Sequence, residues 1–136
     1  MQHRGQECAG IVSSEGGNFY SQKGAGCVSD VFNRDVLDSL PGSIAIGHVR
    51  YSTTGSSTAE NSQPIHVKYK GGRLAIAHNG NLTNSAQLKS ELESRGAIFL
   101  TNTDSELLLH LIAHSPSNDF EAVSYTHLTL PTIYSV

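Results

Sequence analysis

The stretch Ile65-His66-Val67-Lys68-Tyr69-Lys70-Gly71-Gly72-Arg73-Leu74-Ala75-Ile76-Ala77-His78 contains two β-type runs, residues 65–69 and 73–78, joined through Lys70 and a glycine pair. Gly71-Gly72 is suited to the positive φ angles of a tight turn, so the reading is an antiparallel hairpin. Upstream, residues 7–14 are a short apolar run closed by Glu15-Gly16-Gly17, which reads as a buried strand and turn, with residues 17–22 pairing back as a second hairpin. Residues 43–50 alternate small and apolar residues as a further strand, and residues 51–63 follow as a polar loop rich in Ser and Thr. Helices are read from caps and spacing. Ser29 caps one in which Phe32, Val36 and Leu40 recur every four residues with Leu37 beside them, ended by Pro41-Gly42. Thr83 or Asn84 caps a second, through Leu88 and Leu92 to a Gly96 stop. Thr103 caps a third, through Leu107, Leu108, Leu111 and Ile112, with Pro116 beyond its end.

The remaining sequence bounds the class of protein. The chain has 136 residues, 38% hydrophobic and 15% charged, with a formal net charge of −3. That is the size of one small soluble domain with a core of its own. No apolar stretch approaches the roughly 18 residues of a membrane span, and no basic-then-apolar start resembles a signal peptide, so a cytoplasmic chain is expected. Lys and Arg are scattered singly, which gives no footprint for nucleic acid or an anionic membrane. Two cysteines, Cys8 and Cys27, are too few for a disulfide framework or a four-cysteine metal site. Of the seven histidines, His110 and His114 form the one i,i+4 pair among His48, His66, His78, His110 and His114, and no Glu stands between them as in HExxH. They read as solvent-facing or core histidines, and no metal site is expected. Gly24-Ala25-Gly26 lacks the third glycine of a phosphate loop, Ser29 standing in its place, and reads as a plain turn.

Three polar clusters fall at expected strand ends or helix starts: His48-Val49-Arg50-Tyr51-Ser52-Thr53, His78-Asn79-Gly80-Asn81 and Asn102-Thr103-Asp104-Ser105-Glu106. An Arg leaving a strand offers a rigid fork for a carboxylate, and an Asp at a helix start can hold an ammonium group. Together they fit an amino acid. An Asn side chain beside the unobstructed N–H of a Gly supplies the two donors that a tetrahedral oxyanion needs, which points to acyl transfer. From the residues alone two alternatives stay open: Arg50 and Asp104 pair with each other, and Asn79-Gly80 is simply a turn.

These clusters, with Gln2-His3-Arg4-Gly5-Gln6-Glu7 and Ala9-Gly10-Ile11 before them and Leu82 after the second, resemble the glutaminase domain of the amidophosphoribosyltransferase family, in order from Gln2 to about Val123. The resemblance implies an α+β fold of the N-terminal-nucleophile hydrolase type, an αββα sandwich of antiparallel sheets with outer helices, incomplete here. It implies a class II glutamine amidotransferase domain, partial, over residues 1–123, and an enzyme of the first committed step of purine synthesis. There glutamine yields ammonia, which displaces pyrophosphate from phosphoribosyl pyrophosphate to give phosphoribosylamine. Carried over by position, Arg50 grips the glutamine carboxylate, Asp104 its ammonium, Asn79 and Gly80 the oxyanion, and Thr53 and Gly5 line the pocket. The implied partners are glutamine and a phosphoribosyltransferase domain elsewhere in the parent, which would carry Mg and assemble as a homo-oligomer. No cofactor is expected in this segment.

The family nucleophile is an amino-terminal cysteine whose own α-amine is the base, with an unperturbed pKa of about 7.7–8.0. Here Gln2 follows Met1, and Cys8 and Cys27 are internal, expected as small apolar fillers at core or turn positions. The chain is therefore expected to be a fragment, inactive alone. From Ser124 the helical period begun at Asp119-Phe120-Glu121-Ala122-Val123 is lost, so residues 124–136 read as a strand or as a foreign tail that packs poorly. Two other readings are a non-catalytic glutamine-binding module and the glutaminase domain of the aminotransferase that makes glucosamine 6-phosphate. For the latter, a Tyr-Arg-Gly-Tyr-type opening and a His-Thr-Arg-Trp-type second motif are expected, and neither is present.

Overall fold

The computed structural model describes residues 7–50, 61–80 and 82–115. Gly5, Thr53, Pro116 and the expected tail at 124–136 lie outside them. The chain divides into two units, Met1–His78 and Asn79–Val136.

In the first unit, β1 (Cys8–Glu15), β2 (Asn18–Ala25) and β3 (Ile44–Arg50) form an antiparallel sheet in the order β2-β1-β3. β1 is the central strand, with Cys8, Ala9 and Val12 all at or below 3% exposure. That central place explains why its sequence is a continuous apolar run and not an alternating one. Gly16 and Gly17, at φ +55° and +78°, make the two-residue turn that sets Glu15 opposite Asn18. A second sheet is the hairpin β4 (Ile65–Tyr69) and β5 (Gly72–Ile76). Its turn is Lys70-Gly71, one residue earlier than the glycine pair suggests, and Gly72 at φ +126° already pairs with Tyr69. Half-buried Ile65, Val67 and Tyr69 alternate with exposed His66 and Lys68, as a one-sided strand requires. β5 stops at Ile76, short of the expected His78, and the His78 N–H donates at 2.7 Å to Oε1 of Gln63.

Between β2 and β3 the single helix expected from Ser29 is replaced by two short ones, α1 (Val28–Val31) and α2 (Arg34–Asp38). The break falls at Phe32, which is extended at φ −118° and ψ 105°. Asn33 restarts the helix by accepting the Val36 N–H at 2.9 Å, an N-cap stronger than the apolar spacing that bridges it. Cys27, not Ser29, occupies the N-cap of α1.

The second unit contains α3 (Ser85–Ser94) and α4 (Asp104–His114), packed on each other. Asn84 occupies the N-cap position of α3, which buries Leu88 and Leu92. Gly96, at φ +88°, ends α3 as expected: its N–H reaches the Glu93 carbonyl at 2.9 Å and that of Ala97 reaches Leu92 at 3.0 Å, a Schellman closure. Thr103 is the N-cap of α4, whose Leu107, Leu108, Leu109 and Leu111 are buried.

A tight backbone approach in the first unit is at Gly10, where a Cβ would collide with the carbonyl oxygen of buried Gln63 and lie 2.9 Å from Lys23 Cγ. At Gly47, on β3, the nearest atoms to such a Cβ are at 3.6 Å and 3.7 Å, ordinary contact. We expect Gly10→Ala to destabilise the protein by about 1–3 kcal/mol, and Gly47→Ala to be neutral or stabilising by up to about 1 kcal/mol through the unfolded chain. Urea denaturation of the two variants checks this.

Candidate glutamine site

The residue after the second polar cluster is tied to the third at the head of α4. The Leu82 N–H, three residues after Asn79, donates to Asp104 Oδ2 at 2.6 Å. This bond ties the segment that follows Asn79 and Gly80 to the first residue of the helix. Among the described residues, Asp104 Oδ1 takes no hydrogen bond. Asp104 is half-buried and borders a recess of about 120 Å³ with Ser85, Lys89, Phe99, Asn102 and Thr103. Lys89 Nζ sits 5.2 Å from the centroid of the Phe99 ring.

Glu106, in the first turn of the helix and 7% exposed, belongs to the third cluster, and the sequence assigns it no role. Its Oε1 accepts the Leu100 N–H at 2.8 Å, and its Oε2 accepts both the Thr101 N–H and the Thr101 hydroxyl at 2.7 Å. The Thr101 hydroxyl proton is thus used on Glu106, so its oxygen accepts from the Thr103 hydroxyl at 2.9 Å and the Thr103 N–H at 3.3 Å. The whole turn entering α4 hangs on one carboxylate. A Glu spaced for a capping box invites a bond to the N-cap N–H. Here the carboxylate reaches further back, a choice that spacing does not reveal.

Arg50 lies in the first unit, at the end of β3, with its Cα opposite that of Cys8. It is half-buried, and Nη1 donates to the Asn61 carbonyl at 3.2 Å, which leaves most of the guanidinium fork uncommitted among the described residues. Asn79 and Gly80 are exposed in the second unit. Thr53 and Gly5 carry no structural statement, being outside the described residues. Cys8 is 1% exposed within the sheet, as expected of a core filler. Cys27 is half-buried, and its N–H donates to Asp30 Oδ2 at 3.0 Å. Both nitrogens are amides and cannot act as amine bases.

His110 stacks at 4.6 Å on Phe99 and places Nε2 3.1 Å from the Ile98 carbonyl, and His114 Nδ1 lies 2.9 Å from the His110 carbonyl. These are structural contacts. Among the described residues, no group of three or more His, Cys, Asp or Glu could hold a metal ion, and no helix is long and apolar enough to cross a membrane.

Burial pushes the His48 imidazole below its ordinary 6.5; the His78 backbone opposes this, and Arg50 and His78 add smaller downward pushes. Burial does the same at His66, helped by Lys23 and Arg73, and lowers Lys23 itself. Both histidines are thus favoured neutral in the folded chain, while in the unfolded chain they protonate near 6.5. Their contribution to stability is intact above that pH and is lost as pH falls from it through the lowered folded values. We expect the difference in urea midpoint between about pH 7.5 and about pH 5.5 to shrink in the His48→Gln, His66→Gln double variant.

Comparison with known proteins gives the family. Residues 48–126 match the profile of the glutamine amidotransferase domain. Amidophosphoribosyltransferase 3, chloroplastic, of Arabidopsis thaliana is 55% identical over 120 residues, which cover 88% of this chain and 23% of that protein. A structure described as the allosteric regulatory enzyme of purine biosynthesis superposes with a TM-score of 0.85 at 45% identity, covering 93% of this chain and 28% of that one. Glutamine phosphoribosylpyrophosphate amidotransferase from B. subtilis, complexed with ADP and GMP, gives 0.82 at 44%, with the same coverage of 93% and 28%. The chain spans roughly a quarter of the length of the curated relatives it matches. At these identities the likeness carries the fold, so the antiparallel sheets and helices are those of the expected N-terminal-nucleophile hydrolase type. With the family profile running over residues 48–126, through all three polar clusters, the chain belongs to the glutamine amidotransferase domain family.

Proposed function

We propose that this chain supplies the glutamine-binding part of an amidophosphoribosyltransferase, in which ammonia freed from glutamine displaces pyrophosphate from phosphoribosyl pyrophosphate. The observation that supports the proposal is the bond from the Leu82 N–H, two residues after Gly80, to Asp104, whose other carboxylate oxygen takes no hydrogen bond among the described residues. In this reading Asp104 holds the substrate ammonium and Arg50 forks its carboxylate, while the Asn79 side chain and the Gly80 N–H receive the oxyanion. The family resemblance assigns Thr53 and Gly5 to glutamine binding as well. Cys8 and Cys27 both carry amide nitrogens, so the reaction needs a cysteine with a free α-amine that these 136 residues do not contain. The phosphoribosyltransferase domain with its Mg, the homo-oligomer and a cytoplasmic location belong to the same proposal.

The test is ammonia release from glutamine by the protein carrying this segment together with a processed terminal cysteine. Arg50→Ala and Asp104→Asn should each remove a charge-assisted contact, raising the KM for glutamine about tenfold to hundredfold. Asn79→Ala should instead lower kcat by about 10²-fold or more, since its donor acts chiefly on the transition state. Release by the 136-residue chain alone, abolished by Cys8→Ala or Cys27→Ala, would refute the reading.

A further inference from the structure

We propose that Glu106 is a positioning residue for glutamine recognition: it fixes the turn entering α4 so that Asp104 faces the substrate ammonium. The inference rests on the glutamine reading above and deepens it. Glu106 does not itself touch substrate in this account. Its carboxylate takes three hydrogen bonds, from the N–H groups of Leu100 and Thr101 and from the Thr101 hydroxyl, all at 2.7 to 2.8 Å. The last continues through Thr101 to the hydroxyl and N–H of Thr103, the residue that caps α4 and directly precedes Asp104. Asp104 is then held from two sides, by this relay through Thr103 and by Leu82 N–H on Oδ2.

A carboxylate suits this position because both of its oxygens face donors. Glu106→Gln keeps the volume but turns an NH₂ group toward an N–H donor, whichever way the amide is placed. The packing of the buried side chain is preserved while the turn loses an anchor. A role in packing alone is therefore separable from a role in aiming Asp104.

The experiment measures binding of L-glutamine and of glutaramate, which is glutamine without its α-amine, to the chain and its variants by titration calorimetry. The unsubstituted chain should prefer glutamine, and Asp104→Asn should abolish the preference. Glu106→Gln should weaken glutamine about tenfold while changing glutaramate by less than about twofold, because the loss falls on the ammonium contact. Equal weakening of both ligands, or a lowered thermal midpoint with the preference intact, would overturn the inference and leave the glutamine reading standing. A chain with no preference between the ligands would overturn the glutamine reading and this inference together. If Glu106→Gln does not fold, Thr101→Val decides, since it cuts the hydroxyl relay and keeps both backbone donors: selective loss of glutamine supports the inference, and parallel loss of both ligands overturns it.

Discussion

A carboxylate removed from water must find donors, and at the head of α4 that requirement organises the second unit. Among the described residues, Asp104 and Glu106 together take four hydrogen bonds, from Leu82 N–H, Leu100 N–H, Thr101 N–H and the Thr101 hydroxyl. The donors come from both sides of α3, so the segment before that helix and the turn after it are drawn to one point. The leucines of α3 and α4 supply the apolar burial. They would tolerate some sliding, whereas short bonds to two carboxylates fix which residue meets which.

The first unit obeys a different constraint, a backbone laid against a backbone. The Gln63 carbonyl fits at Gly10 only because β1 has no side chain there. Ser62, Gln63 and Pro64 are buried at that point, and Lys23 Nζ donates to the Ser62 carbonyl at 3.2 Å. The same Gln63 accepts the His78 N–H, so the end of the hairpin is set by the residue that packs on the central strand. Arg50 leaves β3 next to this arrangement, its Nη1 on the Asn61 carbonyl. Its guanidinium is presented by a strand end and a buried segment, not by a free loop.

What the sequence showed, and what it hid, follows from the range of each interaction. Both hairpins, the Gly96 stop and the Thr103 cap are local, written in two to four consecutive residues, and all are found. The helix from Ser29 failed because apolar spacing at Phe32, Val36 and Leu40 is a statement about one face, and it is indifferent to the Asn33 cap that divides it. Glu106 stands in the third polar cluster, but its spacing alone names no partner for it. Its burial depends on donors five and six residues earlier, on a turn with no periodic signal. The fold type, and glutamine as the amino acid that Arg50 and Asp104 would hold, came from resemblance to a family. The residues alone left an Arg50–Asp104 pair equally open.

The electrostatics of α4 give the proposed roles a direction. A helix N-terminus carries partial positive charge and by itself favours an anion. Asp104 and Glu106 both stand in the first turn of α4 and reverse that preference. Both Glu106 oxygens accept hydrogen bonds from the turn, leaving Asp104 Oδ1 as the acceptor there that no described residue occupies. That oxygen is the acceptor the proposed ammonium contact would use. Under the proposed function, orientation of the substrate thus follows from which carboxylate is saturated and which is not.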